Sequence, residues 1–249
     1  MKKGLFSVTF RSLGRDKIAE LTKEAGLDSV IWGGDVHVPH GELELAENTK
    51  KLCDSFGVGT DVYGSYYKLV TDDCDAVFNT ATALGSDVVR IWAGTKGSAE
   101  MSADERKSLT ERLRFAADVA KEKGLTLAFE YHGGTLTDDA ESALRLINEA
   151  ERDNVRLHWQ PNQYRDFDFN VCALKKVAPY VDAVHVFAWR GNDKFPLSTQ
   201  EREWRAYFDI LAEYGKCTLA ALEFVPVECR DDLMRDAETL DAILRRTSL

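Results

Sequence analysis

The feature that most constrains this chain is a repeat. A short apolar run is followed by an amphipathic stretch, and the pair recurs eight times along 249 residues. The apolar runs are Leu5–Phe10, Ser29–Gly33, Gly59–Gly64, Val88–Ala93, Leu125–His132, Val155–Gln160, Ala183–Ala188 and Thr218–Phe224. Most are too apolar on both faces for a half-exposed strand, which suits strands buried between helices. Helical periodicity fills the intervals: Arg15–Ala25, Glu42–Phe56, Asp73–Leu84, Ala103–Lys123, Asp139–Glu151, Val171–Ala178, Thr199–Tyr214 and Arg230–Arg246. Strict alternation of strand and helix implies a parallel sheet with its helices outside. Eight units in a chain of this length favour closure into a single-domain (β/α)8 TIM barrel over an open sheet. The loop after the first run reads TFRSLGRD and lacks the glycines of a dinucleotide-binding turn. No linker or change of composition divides the chain.

Element ends are also marked. Gly26, Gly57, Gly85, Gly124 and Gly215 follow helical stretches and suit left-handed C-caps. Ser102 with Glu105 forms a capping-box pattern, and Ser198 before Thr199-Gln200-Glu201 is similar.

The formal charge of −10 argues against binding to nucleic acid or to an anionic membrane. Five cysteines, odd in number and scattered, read as reduced thiols of a cytoplasmic protein. Arg11 and Gly14 interrupt the first apolar run too early for a signal peptide, and no run approaches membrane-spanning length.

In such a barrel the active site lies at the C-terminal ends of the strands. The fifth run, within LTLAFEYHGG, ends with Glu130 and His132, which share a face because strand side chains alternate. The sixth ends at Gln160, followed by Asn162 and Gln163; the seventh carries His185, with Arg190 beyond it; the eighth carries Glu223. Small residues precede three of these by two positions: Ala128, Ala183 and Ala221. They mark an inward face, whereas Phe129, Tyr131, Val184, Val186, Leu222 and Phe224 point outward to the helices. His158 lies one layer below Gln160 and reads as structural. Two carboxylates, an amide oxygen and an imidazole suit Mn²⁺, Mg²⁺ or Co²⁺ better than a closed Zn²⁺ site. The bland alternative for Glu130 and Glu223 is a buried carboxylate paired with Arg90 or Arg190.

The phrases AFEYHGG, VRLHWQPNQ, DAVHVFAW and LAALEFV resemble the four ligand strands of the sugar isomerase/epimerase branch of the xylose isomerase-like superfamily. Two positions depart from its pattern: the ligand on strand six is usually Asp there and is Gln160 here, and Arg190 falls near, but not on, the family's arginine after the strand-seven histidine. The resemblance implies that Glu130, Gln160, His185 and Glu223 hold a divalent metal. It implies that Glu130 and Glu223 exchange protons next to a substrate carbonyl, through a metal-stabilised enediolate, and that His132 binds a hydroxyl or shuttles protons. The activity so implied is isomerisation or epimerisation of a ketose or related keto-sugar. An inosose-type dehydratase using the same site is a second reading. An inactive barrel that binds a carbohydrate or a partner is a third, kept open by Gln160.

Trp32, His37, Tyr66, Trp92, Asn162 and Arg190 are the candidate substrate-binding residues. Aromatic faces suit sugar C–H surfaces, and arginine suits an anionic group. Trp32 and Trp92 fit core packing as well as sugar platforms. The expected partner is a small sugar or polyol, and a homo-oligomer is compatible with the surface.

Overall fold

A computed structural model of the chain describes residues 1–71 and 73–247. Strands β1 (Lys2–Phe6), β2 (Ser29–Gly33), β3 (Val62–Gly64), β4 (Val88–Ile91), β5 (Thr126–Glu130), β6 (Val155–Trp159) and β7 (Val181–Val186) pair in parallel. A small antiparallel hairpin, β8 (Trp189–Arg190) and β9 (Asp193–Lys194), follows outside the sheet. Strand β10 (Leu219–Leu222) then pairs with both β7 and β1 and closes the barrel. Among the described residues, eight α-helices cover it: α1 (Arg15–Glu24), α2 (Leu43–Phe56), α3 (Asp75–Leu84), α4 (Ala103–Glu122), α5 (Ala140–Ala150), α6 (Phe167–Val177), α7 (Glu201–Ala212) and α8 (Arg230–Arg246). The expected single-domain TIM barrel is the observed fold. Among the described residues, no helix is long and apolar enough to cross a membrane.

Alternation along the strands builds two cores. Leu5, Trp32, Val89, Phe129, Trp159, Val184 and Leu222 face the helices and join the outer core. Their neighbours Phe6, Ile31, Val62, Ala183, Leu219 and Ala221 form a second, inner cluster. The small residues Ala183 and Ala221 thus lie inside, as their spacing implied. Phe224 does not follow the pattern. It adopts φ 58° and packs against the inner cluster, because the strand has ended at Leu222 and the turn reverses its direction.

Several boundaries differ from the sequence reading for local reasons. β1 ends at Phe6, and Ser7–Phe10 winds into a 3-10 turn. There the Ser7 hydroxyl accepts the Gly33 N–H, and Ser7 itself leaves the ladder. α6 starts at Phe167 rather than Val171, because the Asp166 side chain accepts the Phe169 N–H as an N-cap. α7 starts at Glu201 after a 3-10 turn at Leu197–Gln200, and the cap expected at Ser198 does not form; Thr199 Oγ1 donates to Pro196 O instead. The Ser102–Glu105 capping box is present. Gly57 and Gly85 end α2 and α3 in the left-handed conformation that a side chain would strain.

Candidate metal centre

The strand ends place three side chains together. Glu130 is the last residue of β5, His185 lies within β7, and Glu223 follows β10 directly. His185 Nδ1 stands 3.3 Å from Glu223 Oε2 and 3.7 Å from Glu130 Oε1. One ligand atom from each of the three lies within 4.8 Å of the others, and all three residues are buried. Neither nitrogen of the His185 ring completes a hydrogen bond. A buried imidazole aimed unpartnered at two carboxylate oxygens costs free energy unless a proton or a cation sits between them. Two carboxylates and one imidazole suit a divalent ion in charge and donor type. The residues present therefore fit a metal.

The charges are tuned by what surrounds them. Burial disfavours the charged His185 imidazole, but the Glu223 and Glu130 carboxylates outweigh it and raise its pKa above the ordinary histidine value. Burial pushes the Glu130 carboxyl up, yet the charges of Arg90 and His185 prevail and hold it below its usual range. Arg90, on β4, is fully buried and places Nη1 3.2 Å from Glu130 Oε2. The ion pair considered as the bland alternative thus coexists with the three-residue cluster. Beside them, His158 on β6 is in register with Glu130 and packs edge-on against His185 with ring centroids 5.5 Å apart, and burial keeps its pKa far below normal.

Gln160 lies just past β6. Its Nε2 donates to Glu130 Oε1 at 3.2 Å and to the Tyr131 carbonyl at 3.2 Å. In this arrangement the amide steadies Glu130 through its N–H group.

Above the cluster opens a cavity of about 510 Å³, bordered by Glu130, Gln160 and Glu223 at its base. Of the residues singled out from sequence, His132, Tyr66, Trp92 and Asn162 also line it. Trp92 stacks on His132 at 4.7 Å and on Tyr66 at 5.9 Å, forming one continuous wall. Three of the sequence candidates lie elsewhere. Trp32 is fully buried in the outer core, because its position on β2 points toward the helices. His37 is buried against Trp32, with Nδ1 2.9 Å from the Ser7 hydroxyl. Arg190 is exposed at the hairpin, with its guanidinium 5.8 Å over the Phe195 ring, and borders a neighbouring groove.

Sequence reasoning missed the opposite wall, which Phe187, Trp189 and Phe224 supply. Aromatics just beyond the ends of the seventh and eighth strands were the available signal. Lys194 lies behind this wall, 5.4 Å over Trp189 and 4.9 Å over Phe224. None of the described residues lining the cavity is lysine or arginine. On one side the β6–α6 loop is tied to the hairpin. The Gly191 N–H donates to Gln163 O at 2.9 Å, and Tyr164 Oη donates to Asn192 Oδ1 at 2.7 Å.

Comparison with known proteins agrees with this fold. Residues 19–241 match the model of the xylose isomerase-like TIM barrel family. A 3-dehydroshikimate dehydratase from Bacillus anthracis is 23% identical over 172 residues, which span 64% of this chain and 61% of the relative's length. A crystal structure of the "probable 3-DHS dehydratase" of petrobactin synthesis from the same organism superposes with a TM-score of 0.79 at 19% identity, covering 97% of this chain and 99% of the other. A D-allulose 3-epimerase from Methylomonas sp., solved in complex with D-allulose, gives a TM-score of 0.72 at 14% identity, covering 99% and 97%. At these identities the two superpositions establish the shared fold.

Proposed function

The chain belongs to the xylose isomerase-like TIM barrel family, and from that premise we propose that it is a divalent-metal-dependent isomerase or epimerase of an uncharged ketose or related keto-sugar. The observation that carries this reading is the buried Glu130–His185–Glu223 cluster at the base of an aromatic-walled cavity. Glu130, His185 and Glu223 would hold the ion. A bound divalent metal would supply an electrophile for a carbonyl and its neighbouring hydroxyl.

The protein's own groups do the rest. The Glu223 carboxylate borders the cavity and stands 3.3 Å from His185 Nδ1, without the arginine and amide contacts of Glu130, so it is the freer of the two glutamates to take a proton next to a carbonyl. Glu130 is held by Arg90 and Gln160 and serves chiefly as ligand. His132 has Nδ1 against the Gly133 carbonyl at 2.6 Å, which leaves Nε2 for a substrate hydroxyl. The Tyr66–Trp92 wall offers ring faces to sugar C–H groups. A phosphate or carboxylate on the substrate would meet acidic residues and no lysine or arginine lining the cavity. Burying an unpaired anion there is costly, which favours a neutral sugar.

A dehydratase is the second reading, supported by the likeness to the Bacillus anthracis relative. Incubation with neutral ketoses and Mn²⁺ or Mg²⁺ in D₂O separates the two. Deuterium at carbon with an intact carbon skeleton and no loss of water is expected for epimerisation or isomerisation. Loss of water marks dehydration and replaces the first reading with the second. No bound divalent ion and no exchange with any sugar overturns both.

A further inference from the structure

Arg90 is an unusual neighbour for a metal ligand. Its guanidinium is fully buried, and none of its three nitrogens completes a hydrogen bond. It lies against two rings, its Cζ 4.1 Å from the Tyr66 centroid and 5.1 Å from the Phe6 centroid. Its strand position puts it level with Ala128 on β5 and Gly64 on β3, one layer beneath Glu130. At Gly64 a Cβ atom would come within 2.8 Å of the Phe6 ring. The absence of a side chain there keeps that ring against the arginine. A fully buried planar cation held against two rings has little freedom to turn, and its ionic contact is with Glu130 Oε2 at 3.2 Å.

The consequence falls on the carboxylate. Oε2 is drawn toward Arg90, while Oε1 accepts from Gln160 at 3.2 Å and faces His185 Nδ1 at 3.7 Å. The two oxygens of Glu130 thus have different partners, and only Oε1 is turned to the cluster. We propose that Arg90 is a positioning residue that restricts Glu130 to ligation through a single oxygen, so that the site favours a small octahedral ion over a larger one that takes both carboxylate oxygens. This inference rests on the metal reading of the Glu130–His185–Glu223 cluster.

Mg²⁺ and Ca²⁺ test it without reference to catalysis. Mg²⁺ requires near-octahedral geometry, whereas Ca²⁺ accepts six to eight oxygens and readily takes a carboxylate through both. The two ions carry equal charge, so removing the arginine's own charge shifts both affinities alike. Their ratio reports the coordination geometry. The experiment is calorimetric titration of the purified protein with each ion, for wild type, Arg90→Met and Arg90→Lys.

In Arg90→Met, the affinity for Ca²⁺ relative to Mg²⁺ is expected to rise about tenfold, because Oε2 is released to the ion. Arg90→Lys retains a point charge without the stacked plane and is expected to give a smaller rise of about threefold. If Arg90→Met does not fold, Arg90→Lys carries the test. A shift of both affinities by the same factor in either direction, with the ratio unchanged, overturns the proposal and leaves Arg90 without a role in coordination geometry. Where wild type binds Mn²⁺ but not Mg²⁺, the ratio is taken between Mn²⁺ and Ca²⁺; a wild type that binds none of the three overturns the metal reading itself, so the two failures are distinguishable.

Discussion

The two halves of the barrel mouth use similar residues for opposite ends. On the side of β5, β7 and β10, His185 faces two carboxylates, and their charges raise its pKa against burial. On the side of β1 and β2, His37 is packed against Trp32 and bonded to Ser7, and burial lowers its pKa. Trp92 forms a cavity wall, whereas Trp32 is an outer-core residue. Residue type alone does not assign a function. What differs is the face of the strand and the charge of the neighbours.

Four substitutions bear on this contrast, and the largest effect belongs to the polar half. Glu223→Gln should reduce carbon–deuterium exchange in D₂O by about 10² to 10⁴, the usual contribution of a positioned acid or base, with the melting temperature close to wild type. Exchange at the wild-type rate would remove Glu223 from the chemistry and, with it, the asymmetry between the halves.

Next comes the pair of tryptophans. Trp32→Ala should cost about 3–5 kcal/mol in denaturant unfolding, as expected for emptying a fully buried site, and leave the KM of the folded protein unchanged. Trp92→Ala should do the reverse, raising KM about tenfold through the loss of a stacking face with little change in stability. The contrast collapses if the two variants trade places.

The smallest effect concerns pH. The folded-state pKa of His37 lies below the unfolded value of 6.5, so on acidification the unfolded chain takes up the proton first. Stability from this group is full above pH 6.5 and declines as pH falls below it. Relative to His37→Gln, wild type should lose at most about 1.4 kcal/mol per pH unit between pH 6.5 and 5, read from denaturant midpoints of metal-free protein. A parallel pH profile for the two proteins would show that His37 titrates as it does in solvent.

The barrel was legible because short buried strands and amphipathic helices alternate without interruption, and few other folds satisfy such a pattern. The charged cluster was legible for a related reason. Glu130, His185 and Glu223 are expensive residues at the ends of apolar strands, so their positions stand out. Trp32 and Trp92 carried no such mark, since an aromatic residue is as cheap in the core as in a cavity wall. Phe224 was misplaced because strand alternation was carried one residue beyond the strand, into a turn with positive φ. The start of α6 was missed because its signal is a single N-cap, Asp166, among other polar residues. The Arg90–Glu130 contact was considered only as a rival to the metal site, and the layered register lets both exist.

The ties between the β6–α6 loop and the hairpin have a kinetic consequence. With Gly191 bonded to Gln163 and Tyr164 to Asn192, the two segments flanking that side of the cavity share one degree of freedom. Widening the opening there moves both or breaks both bonds. Admission and escape of a ligand on this side therefore depend on both bonds, and a substitution at Asn192, which is not among the residues lining the cavity, is expected to act on residence time rather than on bond-making.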